Sequence, residues 1–188
     1  FLAQQAPPFL QYRLLRKKLA EYRLIEAGGG WPSVPAGEIL HPGMVDSRLA
    51  ILKKRLTSSG DLKALNTQSA VYDQRLVEAA KIFQKRHNLT PDGVIGKQTL
   101  SAMNVPVEFR IQQIIINMER YRWLERRKVT QMVAVNIAGF RAVAGRPDKF
   151  DLSMPVIVGK TYHKTPVFND SIEYVVFNPY WSIPPSIV

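Results

Sequence analysis

The segment from Leu76 to Leu100 constrains the fold of this chain more than any other. Its first half has the i, i+3, i+4 and i+7 apolar spacing of one helical face, with Leu76, Ala79, Ala80 and Phe83 at those positions. The Asp92-Gly93 pair predicts a tight turn, because glycine tolerates positive φ and aspartate can bond the backbone ahead of it. Gly96 is expected to allow a close approach of two backbones, and a short helix is expected from near Lys97. Together these residues predict a helix–turn–helix joint.

The joint is expected to belong to a compact module of about three helices, residues 43–104. The helix that carries the apolar face is expected to span residues 71–88. An earlier helix is expected to begin after Asp46 as its N-cap, to end at residue 56, and to bury a face of leucines. The basic side chains of that helix are expected nearer to water, and these are Lys53, Lys54 and Arg55.

Two further helices are predicted outside the module. Apolar residues at spacings of three and four predict one over residues 9–27, and three consecutive glycines at 28–30 end it. Trp31 follows in a proline-rich loop, which it is expected to pin to the core. The other helix, residues 110–124, follows a boundary at Pro106 and has a broad apolar face.

The hydrophobic period changes from 3.6 to 2 after Arg127, which indicates β-structure. Strands are predicted at 132–137, 140–143, 152–158 and 172–177, and the short spacings between them favour an antiparallel, hairpin-rich sheet. About sixty residues of β-structure are a thin basis for a closed core. We therefore expect an incomplete β-domain. The chain also begins without a Met and without a signal-peptide pattern, so we expect a piece of a longer precursor.

The formal net charge is +11, which bears on partners more than on the fold. Nucleic acid, an anionic membrane and a cell wall with free peptide carboxylates are the three polyanion classes that would match it. The basic residues are scattered rather than blocked, so a solvated surface is the simplest interpretation. Nucleic-acid binding rests on charge alone and is not expected. No apolar run approaches the ~20 residues of a membrane helix.

The residues offer little catalytic chemistry. Cysteine is absent, which excludes a disulfide, a cysteine metal site and a thiol nucleophile within these residues. His41 and His87 are expected at the surface, and His163 lies in a loop without a serine or aspartate partner at motif spacing. No histidine pair has zinc-ligand spacing, and no phosphate-binding glycine loop occurs. We therefore predict no catalytic residue, metal or cofactor.

Several motifs nevertheless resemble known families. Residues 83–100 resemble a peptidoglycan-binding domain of the three-helix type at Phe83-Gln84, His87, Leu89, Asp92-Gly93-Val94-Ile95-Gly96 and Thr99-Leu100. The start of the catalytic domain of large periplasmic L,D-transpeptidases is similar to residues 117–124, 133–137 and 140–141, and the similarity extends through 156–160, 164–168 and 176–187. Residues 28–32 match the upstream region of the same family. The motifs occur in family order.

The resemblance implies an α+β fold with four parts. An N-terminal helical scaffold segment (1–42) would precede the peptidoglycan-binding domain (43–104), and a scaffold helix (105–127) would lead into the first strands of a mostly-β catalytic domain (128–188). In this family a cysteine thiolate attacks a tetrapeptide donor stem, and the resulting thioester passes the acyl group to an acceptor amine. The Ser-His-Gly-Cys segment that carries the thiol is absent here, so the chain itself is expected to be inactive. The resemblance also implies a periplasmic, cell-envelope location with peptidoglycan as partner.

Five residues are candidate peptidoglycan contacts. Tyr180 and Trp181 could pack on a stem peptide or sugar, although core packing or lid support is the simpler interpretation. In the binding domain the surface candidates are Gln84, Arg86 and Asp92, whereas Phe83, Leu89 and Ile95 are expected in the core. A non-catalytic protein that only anchors to peptidoglycan remains the alternative function.

Overall fold

A computed structural model of the chain describes residues 6–7, 9–63, 70–123, 130–147, 149–181 and 183. Within these residues the predicted α+β class is confirmed. The helices are α1 (Leu10–Ala27), α2 (Leu49–Ser58), α3 (Gln74–Arg86), α4 (Lys97–Met103) and α5 (Val107–Trp123), and the strands are β1 (Met132–Asn136), β2 (Arg141–Arg146) and β3 (Lys149–Pro155). In the described residues, no helix combines the length and apolar character needed to cross a membrane.

Helices α1 and α5 pack against each other and form the scaffold. Tyr22 from α1 is buried against Val107 and Ile111 from α5. The predicted glycine stop of α1 is confirmed, because Gly29 and Gly30 adopt φ of 92° and 79°, which an L side chain rarely adopts. Residue 124, which the sequence places in the last predicted helix, lies outside the described residues.

The module core is formed by α2, α3 and α4 together with Val34 and Leu40, which precede residue 43. The leucine face predicted for α2 is confirmed, since Leu49, Leu52 and Leu56 are fully buried. They pack with Leu76 and Phe83 in one cluster. The burial of such side chains, at about 1.5–3 kcal/mol each, holds the module together.

Three predictions for α2 are wrong. Asp46 lies before the helix rather than at its N-cap, since its Oδ1 accepts from the Arg48 N–H at 2.7 Å within the preceding turn. Lys53 and Arg55 are buried, with exposures of 2% and 1%, although both were expected near water. Arg55 is buried because Trp31, Phe83 and the end of α4 cover it, and helical periodicity alone does not reveal these contacts.

Helix α3 is shorter than predicted at both ends. Residues 71–73 are extended, because Val71 forms a β-bridge with Val45. The helix then begins after Asp73, whose Oδ1 accepts from the Leu76 N–H at 2.9 Å in an N-cap. At the other end Asn88 adopts φ of 56°, which stops the helix.

The end of α4 contacts both α2 of the module and α5 of the scaffold. The carbonyl of Met103 accepts from Arg55 Nε at 2.7 Å, and that of Ala102 accepts from Arg110 Nη2 at 3.0 Å. Trp31 Nε1 donates to the Val105 carbonyl at 3.0 Å. A helix end has unpaired carbonyls and a partial negative charge, so cationic donors are well matched to it. We call these three side chains, Trp31, Arg55 and Arg110, the α4 junction.

The β-part is an antiparallel sheet in the order β1-β2-β3. The hairpin predicted between residues 132–137 and 140–143 is confirmed, although its turn takes in residues 137–140, where Gly139 N–H donates to Asn136 Oδ1 at 2.9 Å. The strand predicted at 152–158 is displaced to β3, because Arg146 pairs back onto Lys149 and so fixes an earlier register. The strand predicted at 172–177 is wrong, since these residues pair with no described strand and their side chains are exposed.

Candidate functional site

An open cleft of about 330 Å³ lies on the module, between the α3–α4 loop and the segment that precedes α2. The antiparallel bridge between Leu40 and Ile95 draws these two segments together, with Ile95 N–H donating to the Leu40 carbonyl at 3.0 Å. The volume of the cleft lies at the lower end of the ~300–1,000 Å³ range that is typical of ligand pockets. The cleft wall includes the side chains of Ile39, His41, Leu89, Asp92, Val94 and Lys97.

The buried side chain of Gln84 supports the loop that forms one wall of the cleft. Its side chain is 1% exposed, and Nε2 donates to Asp92 Oδ1 at 2.8 Å and to the Val94 carbonyl at 2.9 Å. Its Oε1 accepts from the Gly93 N–H at 2.8 Å. The expectation that Gln84 is a surface residue is therefore wrong. The Gln84 amide is buried because the 92–94 turn folds back over α3 and forms hydrogen bonds with it.

Asp92 is exposed at the cleft wall. Its Oδ1 accepts from the Val94 N–H at 2.8 Å as well as from Gln84. These bonds, the Val94 amide first, hold the pKa of the Asp92 carboxyl below its usual range. Among the described residues nothing donates to its other oxygen, Oδ2. The geometry thus presents a fixed negative charge with one free acceptor.

Arg86 lies elsewhere, between the module and the scaffold. It forms a two-point ion pair with Asp61, with Nε–Oδ1 at 3.0 Å and Nη2–Oδ2 at 2.6 Å. Its Nη1 donates to Tyr22 Oη on α1 at 3.0 Å. The structure therefore does not bring Arg86 to the cleft with Asp92, and its described contacts are structural.

Tyr180 and Trp181 are also apart from the cleft. Their exposures are 104% and 72%, and they lie in an extended segment after the sheet, with neither residue lining the cleft. Among the described residues neither side chain makes a packing contact, so the structure does not favour the core-packing alternative. Their contact with peptidoglycan stays a prediction.

The three histidines occupy different environments. His41 is exposed at the cleft wall, and His163 is exposed in the loop after β3. His87, predicted at the surface, is half-buried, with its ring stacked on Phe83 at a centroid distance of 3.9 Å. Burial lowers the pKa of His87 to about 4, although Nδ1 lies 2.9 Å from the Phe83 carbonyl. This ring is neutral at neutral pH.

Five of the six wall residues were not among the predicted contacts, namely Ile39, His41, Leu89, Val94 and Lys97. Ile39 and His41 reach the cleft only through the bridge at Leu40, which no local pattern announces. Lys97 carried a signal, because it begins the short helix next to the Asp92 turn. A charged residue at that point could have been recognised as a neighbour of Asp92.

Comparison with protein families gave two matches. Residues 46–103 match the peptidoglycan binding domain, and residues 130–188 match the L,D-transpeptidase catalytic domain. The first match contains Gln84, Asp92 and the rest of the α3–α4 loop that walls the cleft. No curated protein matched the chain.

Proposed function

Because this chain carries a peptidoglycan-binding domain followed by L,D-transpeptidase catalytic-domain sequence, we propose that it is the wall-binding and scaffold part of an enzyme that crosslinks peptidoglycan stem peptides. Its module would hold the catalytic domain against its polymeric substrate in the bacterial cell envelope, on the periplasmic side. The observation that carries this proposal is the order of the two domains, with the binding domain first. The cleft on the binding domain supports it.

In this proposal the chain holds the enzyme on its substrate and does not supply the sulfur atom that attacks it. L,D-transpeptidation through a thioester requires a cysteine thiolate to attack the carbonyl of the donor stem, and these 188 residues contain no cysteine. The acyl-enzyme step would therefore need a thiol from outside them. Binding to the wall would raise the effective concentration of stem peptides around that thiol.

The contacts between module and scaffold suit this role. Arg86 ties α3 to Tyr22 of α1 and to Asp61, while the α4 junction ties α2 and α5 to the end of α4. A module fixed to α5 by these bonds would transmit its position to the segment that leads toward β1. A module on a free tether would leave that segment unoriented.

Co-sedimentation with purified sacculi tests the binding role. We expect the chain to pellet with sacculi at low salt and to remain in the supernatant without them. A chain that stays soluble beside sacculi at low salt would make the module a spacer and contradict the proposal.

Acylation tests the catalytic part of the proposal. Mass spectrometry after incubation with a tetrapeptide donor, or with a carbapenem, should show the unmodified mass. A covalent adduct on this polypeptide would contradict the assignment of the nucleophile to residues outside it.

The absence of cysteine also favours a second candidate, a protein that anchors to peptidoglycan and never catalyses. The two differ in what the native gene encodes. A Ser-His-Gly-Cys sequence in the same reading frame downstream of these residues would support the enzyme, and its absence would support the anchor.

A further inference from the structure

We propose that the module cleft binds the stem peptide of peptidoglycan rather than its glycan strand. This inference rests on the proposed function and deepens it by naming the chemistry the cleft recognises. A stem peptide offers a free amine and free carboxylates together with aliphatic chains. The glycan offers neutral hydroxyl and acetamido groups on saturated rings.

The charges at the cleft wall match the peptide. Asp92 presents Oδ2 without a donor among the described residues, which suits the ammonium group of a diamino acid. Lys97 is exposed on the same wall, and it makes no hydrogen bond or ion pair within the described parts of the chain. Its ammonium group suits a peptide carboxylate, so Lys97 and Asp92 provide one partner of each sign, with His41 as a third polar side chain on the wall.

The carboxylate is held in place before any ligand arrives. Gln84 is buried and donates to Asp92 Oδ1, while the Val94 amide donates to the same atom. Little side-chain entropy would therefore be lost when Oδ2 accepts from a ligand. A surface aspartate without such support would lose more.

The apolar part of the wall points to the same ligand. Ile39, Leu89 and Val94 supply branched aliphatic surface, which suits the methylene chain of a diamino acid. The described residues that line the cleft include no Phe, Tyr or Trp. A flat aromatic face is the surface on which the C–H side of a sugar ring packs best, because the ring face carries partial negative charge.

NMR titration of the isotope-labelled chain with two separate probes tests the proposal. One probe is a tetrapeptide stem with a diamino acid and a blocked N-terminal amine, and the other is the N-acetylglucosamine–N-acetylmuramic acid disaccharide with its lactyl carboxyl blocked as an amide, so that each probe carries only the groups it has in the wall. We expect the tetrapeptide to shift the amides of residues 89–99 and the disaccharide to leave them unchanged. Shifts in this loop from the disaccharide and none from the peptide would overturn the inference.

A matched pair of variants isolates the contact. Asp92→Asn keeps an oxygen that can accept from Gln84 and Val94, so the loop should keep its fold while the charge is lost. We expect about a fivefold loss of tetrapeptide affinity, as for an ion pair near ~1 kcal/mol. Glu78→Gln removes a carboxylate that faces Lys81 on the exposed side of α3, and it should leave the affinity unchanged.

Acetylation of the amine of the diamino acid completes the cycle. The acetylated peptide should bind the natural chain about fivefold more weakly, whereas Asp92→Asn should bind both peptides alike. Equal losses in Asp92→Asn and Glu78→Gln would overturn the inference. If neither probe binds while sacculi still pellet the chain, this inference fails and the proposed function stands; if sacculi fail to pellet it as well, both fail.

Discussion

Arg55 is a charged residue in the interior of the module, with 1% of its surface exposed. Its guanidinium group lies 4.0 Å above the Trp31 ring centroid, and Nε donates to the Met103 carbonyl. Burial lowers its pKa to about 10, so it remains charged at neutral pH. Its Nη1 is buried without a hydrogen-bond partner in the described structure. The cation–π contact and the carbonyl bond therefore have to offset a substantial desolvation cost.

Replacement of Arg55 should measure that balance. We expect Arg55→Ala to lower the free energy of unfolding by about 2–4 kcal/mol, because it leaves a cavity and an unpaired Met103 carbonyl. Urea unfolding followed by circular dichroism would measure the loss. Lys54→Ala, at the exposed neighbouring position on α2, is the control and should stay within about 0.5 kcal/mol of the natural chain. Equal stabilities for the two variants would contradict the role given to Arg55.

His87 should make stability depend on pH. Its pKa is about 4 in the folded chain against a usual 6.5, so the unfolded chain binds more protons between these values. Stability should consequently fall as the pH drops from about 6.5 to 4, by up to about 3 kcal/mol. His87→Gln should flatten this part of the profile in urea unfolding at a series of pH values. The exposed His163→Gln should leave it unchanged, and a natural chain as stable at pH 4.5 as at pH 7 would contradict the assignment.

Among the elements, the α3–α4 loop depends on one of its two glycines. Gly93 adopts φ of 78°, and a Cβ there would lie 2.7 Å from Val77 Cγ1. Gly96 has φ of −86°, and no described heavy atom lies within 4 Å of the place a Cβ would take. The close backbone approach expected at Gly96 is therefore wrong, whereas the turn at Gly93 is confirmed.

The two glycines provide a matched test. Gly93→Ala should cost at least about 2 kcal/mol of unfolding free energy, through backbone strain and the clash with Val77. Gly96→Ala should cost no more than about 0.5 kcal/mol, since alanine is a poorer N-cap for α4 but also restricts the unfolded chain. Thermal unfolding of both variants would separate these outcomes. A loss at Gly96 as large as that at Gly93 would show that the loop is packed differently.

The same elements show how far sequence pattern could reach. The positions of α1, α3 and the α2 leucine face followed from periodicity and turn residues, because these signals act within a few residues of chain. Gln84 and Arg55 were misplaced because their partners, Asp92 and Met103, come from other elements. A periodic pattern assigns polar residues to water. It cannot identify a buried polar side chain whose hydrogen-bond partners lie far away in the sequence.

At the scale of the whole molecule, burial is confined to the helical part. The buried apolar side chains run from Tyr12 to Met118, and none of the described residues beyond Met118 is buried. The sheet instead exposes large apolar side chains, among them Val133, Val135, Leu152 and Met154. Three strands without a covered apolar face contribute little stability of their own. The helical part should therefore be the cooperative unit, with the sheet only loosely coupled to it.

Hydrogen exchange followed by mass spectrometry would test this division. We expect peptides from α2 and α3 to exchange through global unfolding and those from β1 to β3 to exchange orders of magnitude faster, because local opening of the sheet exposes no core. Arg55→Ala should accelerate exchange in the helices and leave the sheet rate unchanged. Equal protection in both parts would show a single cooperative unit. A large difference in protection would show that β1 to β3 add little to the core that the described helices form.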